Sequence, residues 1–374
     1  MKVRILHILA GLPPEGDAIV DFAARLAKAQ KERGDDVVLA APAGENLAVP
    51  AFEAEEAGVR LGRFAPTGNG PLHFSREMLH NLRKVVRGAD TVHIHGVRSF
   101  PVWWGGLCAL LEHKRLIFSP HGGLEPTHLA ALSPKMKLLG RFDRFLLRRA
   151  NTIHAASELE REWILAVPGL AKCADRIVVA PPGVELPRLM PKPKDHDTRT
   201  LLYYGPISQL GGLDLLLEAV VKCDAHRKLH LVICGPDEDG TKADLVARAS
   251  QPDLAGKVTF LDPAYGMAKW RLFREADCFV LPARGNNFGL SVAEALACGI
   301  PAICTKGTPW QMLPEMQCGW WCDTSADGLA IAIRDMLYHY LPELVEMGAN
   351  GRKLAERRFS WQAAAEKLGD APTA

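Results

Sequence analysis

A chain of 374 residues is long enough for two domains of ordinary size, and 48% apolar with 24% charged residues is a globular composition that excludes disorder and collagen-like fibres. With 45 Lys and Arg against 43 Asp and Glu, the net charge of +2 gives no support for nucleic-acid binding. The longest nearly apolar stretch, Phe100 to Leu111, is broken by Pro101, Gly105 and Gly106 and is too short to span a bilayer, so it belongs in a core or at an interface.

In chain order, Met-Lys-Val-Arg-Ile-Leu-His-Ile-Leu-Ala sets charges at Lys2 and Arg4 among apolar residues with no convincing cleavage site after them, and reads as a first strand, not a signal peptide. The strand Val3–Ala10 leads through a Pro/Gly-rich loop, Gly11–Asp17, to a helix over Ile19–Arg33 with Phe22, Leu26 and Ala29 on one face. Gly34 stops that helix and Asp36–Ala41 returns as a second strand, completing one βαβ unit. Further strands are expected at Thr91–His95, Leu116–Ser119, Thr152–Ala155 and Ile177–Ala180. The segment Pro187–Thr200, rich in Pro, Lys and Asp, reads as an interdomain linker. Beyond it the alternation restarts with strands at Leu201–Tyr204, His230–Cys234, Val258–Phe260, Cys278–Leu281 and Ala302–Thr305, and helices at Leu213–Lys222, Lys242–Ala249, Met267–Glu275 and Leu290–Cys298. Such alternation predicts an α/β fold with a doubly wound parallel sheet used twice. The expected division is an N-terminal domain 1–190, a linker 191–200, a C-terminal domain 201–357, and a last helix 358–374 free to return to the N-terminal domain.

Nine cysteines, an odd number with no C-x-x-C pair, lie in apolar runs and suit a reduced, cytosolic protein with buried thiols. Residues 1–190 carry 25 basic and 20 acidic residues, the remainder 20 and 23. The basic excess is densest over Lys135–Arg149, where six cations interleave with Met136, Leu138, Leu139, Phe142, Phe145, Leu146 and Leu147. Two readings are open: an amphipathic helix on an anionic membrane surface, or a helix whose apolar face packs on its own sheet, the second being favoured.

Two open α/β sheets facing each other hold a ligand in the cleft at the carboxyl ends of their strands, so the loops after strands are where chemistry is expected. The loop Gly11–Asp17, with Gly16 in it, can offer amides to a phosphate or sugar, or be a plain turn; lacking G-x-G-x-x-G spacing, it is no dinucleotide site, which removes a Rossmann oxidoreductase. In Ser119-Pro-His-Gly-Gly-Leu-Glu-Pro126, His121 stands at a strand end, able to bond a sugar hydroxyl or to stabilise charge at a reacting carbon. His93 and His95 share a strand face at i, i+2, but no third ligand is evident and no metal is expected. Glu294, flanked by Val292, Ala293, Ala295, Leu296 and Ala297, is costly to bury unless it faces a cleft or partner, and suits a ribose diol better than a core Arg.

The run Asn286-Asn-Phe-Gly-Leu-Ser-Val-Ala-Glu-Ala-Leu-Ala-Cys-Gly-Ile-Pro301 resembles the E-x7-E region of the retaining glycosyltransferase family 4, of GT-B architecture. Supporting stretches are Gly205, Gly212-Leu-Asp-Leu-Leu-Leu-Glu-Ala219, Leu231-Val-Ile-Cys-Gly-Pro236, Tyr265-Gly266, Ala276-Asp277, Gly307-Thr-Pro-Trp310 and Cys318-Gly-Trp-Trp321. The resemblance implies that Glu294 holds the nucleotide ribose, that Asn287, Phe288, Gly289 and Leu290 bind donor sugar and phosphates, and that His121 and Asn286 are the catalytic-side contacts. Gly16, Gly205, Gly235 and Pro236 complete the donor side. It further implies a metal-independent, hexosyl-type transfer from a nucleoside-diphosphate sugar to a glycan or lipid-linked acceptor, without cofactor, in bacterial surface polysaccharide or lipopolysaccharide assembly. The expected location is cytoplasmic, with Lys135–Arg149 as the optional contact with the inner membrane.

The departures from the family pattern concern charge. The family's diphosphate-clamping Arg and Lys fall on Pro206 and Gly211, and the first glutamate of E-x7-E is Asn286. Losing one preorganised donor to the departing diphosphate costs about 10²–10³ in rate. Arg284, Lys306 and the amides of Gly211 and Gly212 are the candidate substitutes. An active transferase and a catalytically degenerate relative that partners an enzyme or binds glycan therefore both stand, the enzyme ahead.

Overall fold

The computed structural model describes residues 2–13, 17–44, 49–68, 70–189, 197–223, 228–285 and 288–369. Two compact units divide the chain, Met1–Gly183 with Trp361–Ala374, and Val184–Ser360.

The first unit runs β1 (Arg4–Ile8), α1 (Ala18–Glu32), β2 (Asp36–Pro42), α2 (Val49–Glu56), β3 (Arg60–Phe64), α3 (Arg76–Arg87), β4 (Thr91–His95), α4 (Phe100–Leu111), β5 (Arg115–Ser119), α5 (Pro126–Ala131), α6 (Pro134–Leu147), β6 (Thr152–Ala155), α7 (Glu158–Ala166) and β7 (Ile177–Val179). Its strands form a parallel sheet in the order β3-β2-β1-β4-β5-β6-β7. The central strands β1, β4, β5 and β6 are almost wholly buried, as expected of parallel strands covered on both faces. The order reverses between β1 and β4, which opens a crevice at their carboxyl ends.

The second unit runs β8 (Thr198–Tyr204), α8 (Leu213–Lys222), β9 (Lys228–Cys234), α9 (Lys242–Ala249), β10 (Val258–Leu261), α10 (Gly266–Glu275), β11 (Cys278–Leu281), α11 (Leu290–Ala297), β12 (Ala302–Thr305), β13 (Gly319–Cys322), α12 (Ala326–Tyr338) and α13 (Leu341–Arg358). Its parallel sheet has the order β10-β9-β8-β11-β12-β13, with the same reversal between β8 and β11. The doubly wound α/β class is therefore present twice.

The last helix, α14 (Trp361–Gly369), belongs to the first unit. α1 has two buried stripes. Val20, Ala23, Ala24 and Ala27 pack with residues of β1 and β2, while Phe22, Leu26 and Ala29 meet Ala364, Ala365 and Leu368 of α14. Arg33 donates to the Ala365 carbonyl at 2.8 Å, and Arg115 to the carbonyls of Leu368 and Gly369 at 3.1 Å. These cations at the carboxyl end of α14 complement its dipole.

The boundary between units lies at Gly183–Val184, not within 191–200, and the strand expected from Leu201 begins at Thr198. Arg199 is fully buried in this strand and Thr200 donates to Asp277 at 2.9 Å, so residues that look like linker by composition belong to the ladder. The described cysteines form no disulfides among the described residues. Burial pushes the Cys108 thiol up to about 11 and that of Cys318 to about 12, which makes them inert core residues. Among the described residues no helix is long and apolar enough to cross a membrane.

Candidate functional site

In the first unit, the loops after β1, β4 and β5 line a cavity of about 850 Å³ that includes Gly11, Leu12, His95, Arg98, His121 and Gly122. His121 adopts a left-handed backbone, φ 51°, which a residue with a Cβ rarely takes. Glu160 holds the turn. Fully buried at the first turn of α7, it accepts from Gly122 N at 2.5 Å and from Ala156 N at 2.7 Å, tying the loop after β5 to the loop after β6. Gly16, in the loop after β1, lies outside the described residues.

His121 is not alone. Its Nε2 lies 3.0 Å from His95 Nδ1, His95 Nε2 lies 2.9 Å from His7 Nδ1, and His7 Nε2 lies 2.7 Å from Gln30 Oε1. A second chain runs from His93 Nε2 to Ser119 Oγ at 2.6 Å, on to His154 Nδ1 at 2.7 Å, and from His154 Nε2 to the Ala180 carbonyl at 2.7 Å. Sheet order explains the cluster: β1 and β4 are neighbours with His7 opposite His93, and β5 sets Ser119 opposite His95. Burial drives the imidazoles neutral, bringing His7 down to about 4 and His121 to about 3, with His93 and His95 well below the ordinary histidine range.

The expectation that His93 and His95 lack a third partner is thus corrected: His7 from β1 supplies one, and the three offer ligand atoms within 4.8 Å of one another. Their geometry is that of hydrogen bonds. Zn–N bonds of about 2.0–2.1 Å would set tetrahedral nitrogens roughly 3.3 Å apart, whereas His7 Nδ1 and His95 Nε2 are 2.9 Å apart.

In the second unit, Glu294 lies on α11 and is 8% exposed. Lys269 of α10 donates to its Oε1 at 2.5 Å, and the ammonium sits 4.7 Å from the Trp270 ring centroid and 5.3 Å from that of Tyr204. The expectation that Glu294 has no core cation is thereby corrected, with lysine in place of the arginine considered. Burial, then the nearby Glu294 charge, raises the Tyr204 hydroxyl pKa, and that hydroxyl donates to the Ala264 carbonyl at 2.7 Å.

The loop before α11 is held from behind. Trp310 donates its indole N–H to the Phe288 carbonyl at 2.6 Å, and both rings pack on Phe359. Gly289 caps α11 at φ 72°, and a Cβ there would come within 2.7 Å of Leu281. Leu290 opens the helix partly exposed. Asn286 and Asn287 lie outside the described residues. Gly205 and Gly235, at the ends of β8 and β9, have a packing reason of their own, since a Cβ on Gly235 would collide with the Gly205 carbonyl. Pro236 is exposed beside them and accepts from Ile207 N at 2.8 Å.

The candidate substitutes for the missing clamp are already engaged. Arg284 forms a bidentate pair with Asp214 at 2.7 and 2.6 Å and donates to the Gln209 carbonyl at 2.9 Å; its guanidinium holds the Asp214 carboxyl below the usual range. Lys306 pairs with Asp323 at 2.6 Å. The amides of Gly211 and Gly212 donate to Ser208 and Gln209 carbonyls within their own turn. Pro206 offers only its carbonyl, which accepts from the Tyr203 hydroxyl at 2.6 Å.

On α6 the favoured packing alternative holds for part of the apolar face, with Leu146 and Leu147 in the core and Met136 and Leu139 half-buried. Leu146 and Leu147 turn inward, as does Asp143, which accepts from Trp103 Nε1 at 2.7 Å and Arg98 N at 3.1 Å; burial pushes its carboxyl up to about 6. Leu138 and Phe142 are more than half exposed and Phe145 is 38% exposed, on a helix carrying Lys135, Lys137, Arg141 and Arg144.

Comparison with known proteins agrees with both halves of this architecture. The family model described as Glycosyltransferase Family 4 matches residues 19–188, and that described as Glycosyl transferases group 1 matches residues 190–354. A D-inositol 3-phosphate glycosyltransferase of Actinosynnema mirum is 26% identical over 310 residues, 76% of this chain and 64% of that protein. The protein of the same name from Mycobacterium sp. is 30% identical over 233 residues, 57% of this chain and 51% of its own length. The chain thus spans about half to two thirds of these curated relatives. Among solved structures, Anabaena Alr3699/HepE in complex with UDP and glucose superposes with a TM-score of 0.75 at 16% identity over 98% of both chains. The lipopolysaccharide outer core galactosyltransferase WaaB does so with 0.72 at 14% identity over 99% of both. The fold is therefore GT-B. A Glycosyltransferase Family 4 match followed by a Glycosyl transferases group 1 match runs along most of the chain.

Proposed function

We propose that this protein transfers a hexose from a nucleoside-diphosphate sugar to a hydroxyl of a glycan or lipid-linked acceptor, with retention at the anomeric carbon and without a metal. The observation that carries it is Glu294, a buried carboxylate on α11 directly behind the Phe288–Gly289 loop that Trp310 holds in place. A carboxylate there accepts the hydrogen bonds of a ribose diol, with Lys269 donating to one of its oxygens. Asn286 is assigned to the donor sugar and His121 to the region of the anomeric carbon. In the step itself the anomeric C–O bond to the diphosphate breaks with its electron pair on the phosphate, the acceptor oxygen bonds the same face, and the acceptor proton passes to the leaving phosphate. HepE was solved with UDP-glucose, which makes that the first donor to try. WaaB supports a setting in surface polysaccharide or lipopolysaccharide assembly. An acceptor anchored in an anionic membrane suits the exposed apolar and basic faces of α6.

A second reading, binding without turnover, is favoured by one observation: Pro206 and Gly211 carry no cation, and Arg284 and Lys306 are committed to Asp214 and Asp323. The test is product analysis by NMR after incubation with UDP-, GDP- and ADP-hexoses and a bacterial lipid and polysaccharide extract. A glycoside with the donor's anomeric configuration supports the transferase. Donor binding without any product supports the second reading.

A further inference from the structure

The hydrogen bonds around His121 have a direction, and the two ends of the network set it. The Ala180 carbonyl can only accept, so His154 carries its proton on Nε2 and receives Ser119 O–H at Nδ1, and Ser119 in turn receives His93 Nε2–H. His93 Nδ1 is then a bare lone pair, and it is the buried nitrogen of that ring with no partner. An unpaired acceptor is the end such a chain should leave.

The same logic starts from Gln30 in the other chain. Gln30 Oε1 accepts, so His7 carries its proton on Nε2; His7 Nδ1 accepts from His95 Nε2–H, and His95 Nδ1 accepts from His121 Nε2–H. His7 and His95 are fully buried and Gln30 is 3% exposed, so water does not enter the chain to reset it. His121 is the last member; His95 also lines the cavity but is fully buried, whereas His121 is partly exposed there.

Resting on the transferase reading for its role in function, we propose that Gln30, His7 and His95 are positioning residues that fix His121 as its Nε2–H tautomer. The imidazole then presents Nδ1 to the cavity as a neutral hydrogen-bond acceptor. Such a group recognises a ligand hydroxyl, the chemistry of a sugar. It cannot bond an ionised phosphate oxygen, which also only accepts. Reversing the Gln30 amide reverses every bond in the chain and turns His121 Nδ1 into a donor, so the selectivity of the cavity is set through three buried residues that do not touch the ligand.

The test is long-range ¹H–¹⁵N correlation NMR on the whole protein with ¹⁵N-histidine, assigned with single His→Gln variants. Nε2–H tautomers at His7, His95 and His121 are expected, with mixed tautomers at His121 in Gln30→Met of unchanged fold. An Nδ1–H tautomer at His121 in the wild type, or a Gln30→Met spectrum unchanged at His121, overturns the relay. Zinc that binds and moves the His95 proton to Nδ1 also overturns it, making the cluster a metal site. UDP-glucose, and not UDP, should then shift the His121 Nδ1 resonance; a shift with UDP alone refutes the hydroxyl assignment. If neither nucleotide binds, the donor reading fails, while the ligand-free spectra still decide the relay.

Discussion

Trp310 and Phe288 are joined by a 2.6 Å hydrogen bond from indole N–H to backbone carbonyl, and both rings meet Phe359 edge-on. Trp310→Phe keeps an aromatic ring and removes this buried hydrogen bond to the Phe288 carbonyl. A stability loss of about 1–2 kcal/mol is expected, measured by urea unfolding. Nucleotide affinity should fall with it, because Phe288 and Gly289 lead directly into the helix that bears Glu294.

Lys269 and Glu294 form a nearly buried pair at 2.5 Å. Lys269→Met leaves the carboxylate without its ammonium, and breaking such a pair costs about 3 kcal/mol or more. Glu294→Gln in the same background removes the buried carboxylate charge. The double variant should therefore recover much of the lost stability, as a urea series on the three proteins would show.

Arg284 is held by Asp214 in an exposed bidentate pair. If Arg284 substitutes for the missing clamp, it must leave Asp214 to do so. Asp214→Asn should then tighten UDP binding several-fold by calorimetry, with stability changed by no more than about 1 kcal/mol. Unchanged affinity would exclude Arg284 from the phosphate site.

The histidine cluster makes stability depend on pH in a stated direction. In the unfolded chain imidazoles take up protons near pH 6.5. In the folded protein His7 resists until about 4 and His121 until about 3, and His93, His95 and His154 are also held low by burial. The Gln30 hydrogen bond and the Glu160 charge oppose this at His7 and His154, and Arg115 reinforces it at His93. Below pH 6.5 the unfolded state therefore binds more protons, and stability falls as pH falls, by about 1.4 kcal/mol per unit for each such histidine. Urea midpoints should drop steeply between pH 7 and pH 5 and stay flat above pH 7 as far as these groups go. His95→Gln should shallow the slope.

Leu138 and Phe142 are exposed on a basic helix. The double variant Leu138→Ser, Phe142→Ser should lose binding to vesicles containing phosphatidylglycerol in a flotation assay while its thermal stability is kept. Equal flotation of both proteins would dismiss α6 as the membrane contact.

Much of the fold was legible because its strands are short apolar runs between turn signals: Thr91–His95, Thr152–Ala155, Cys278–Leu281 and Ala302–Thr305 are read with their observed bounds. β3, Arg-Leu-Gly-Arg-Phe at a sheet edge, was not. Its arginines stay in solvent and leave no apolar period. Glu294, Phe288 and Gly289 were legible as local sequence, but Lys269, which pairs with Glu294, comes from another helix and carries no spacing signal. The same holds for His7, Gln30 and His154, which meet His93, His95 and His121 only through strand order and register. Glu160 did leave a trace, since Ser157-Glu-Leu-Glu160 has the form of a capping box. Ser157 does cap α7, and the Glu160 carboxylate accepts from Ala156 N and Gly122 N.

The most direct measurement is isothermal titration of UDP-glucose into the wild-type protein and into Glu294→Ala. Saturable binding by the first and its loss by at least ten-fold in the second is the predicted result. Equal affinity in the two proteins would contradict the assignment of Glu294 to the donor nucleotide and, with it, the proposed site.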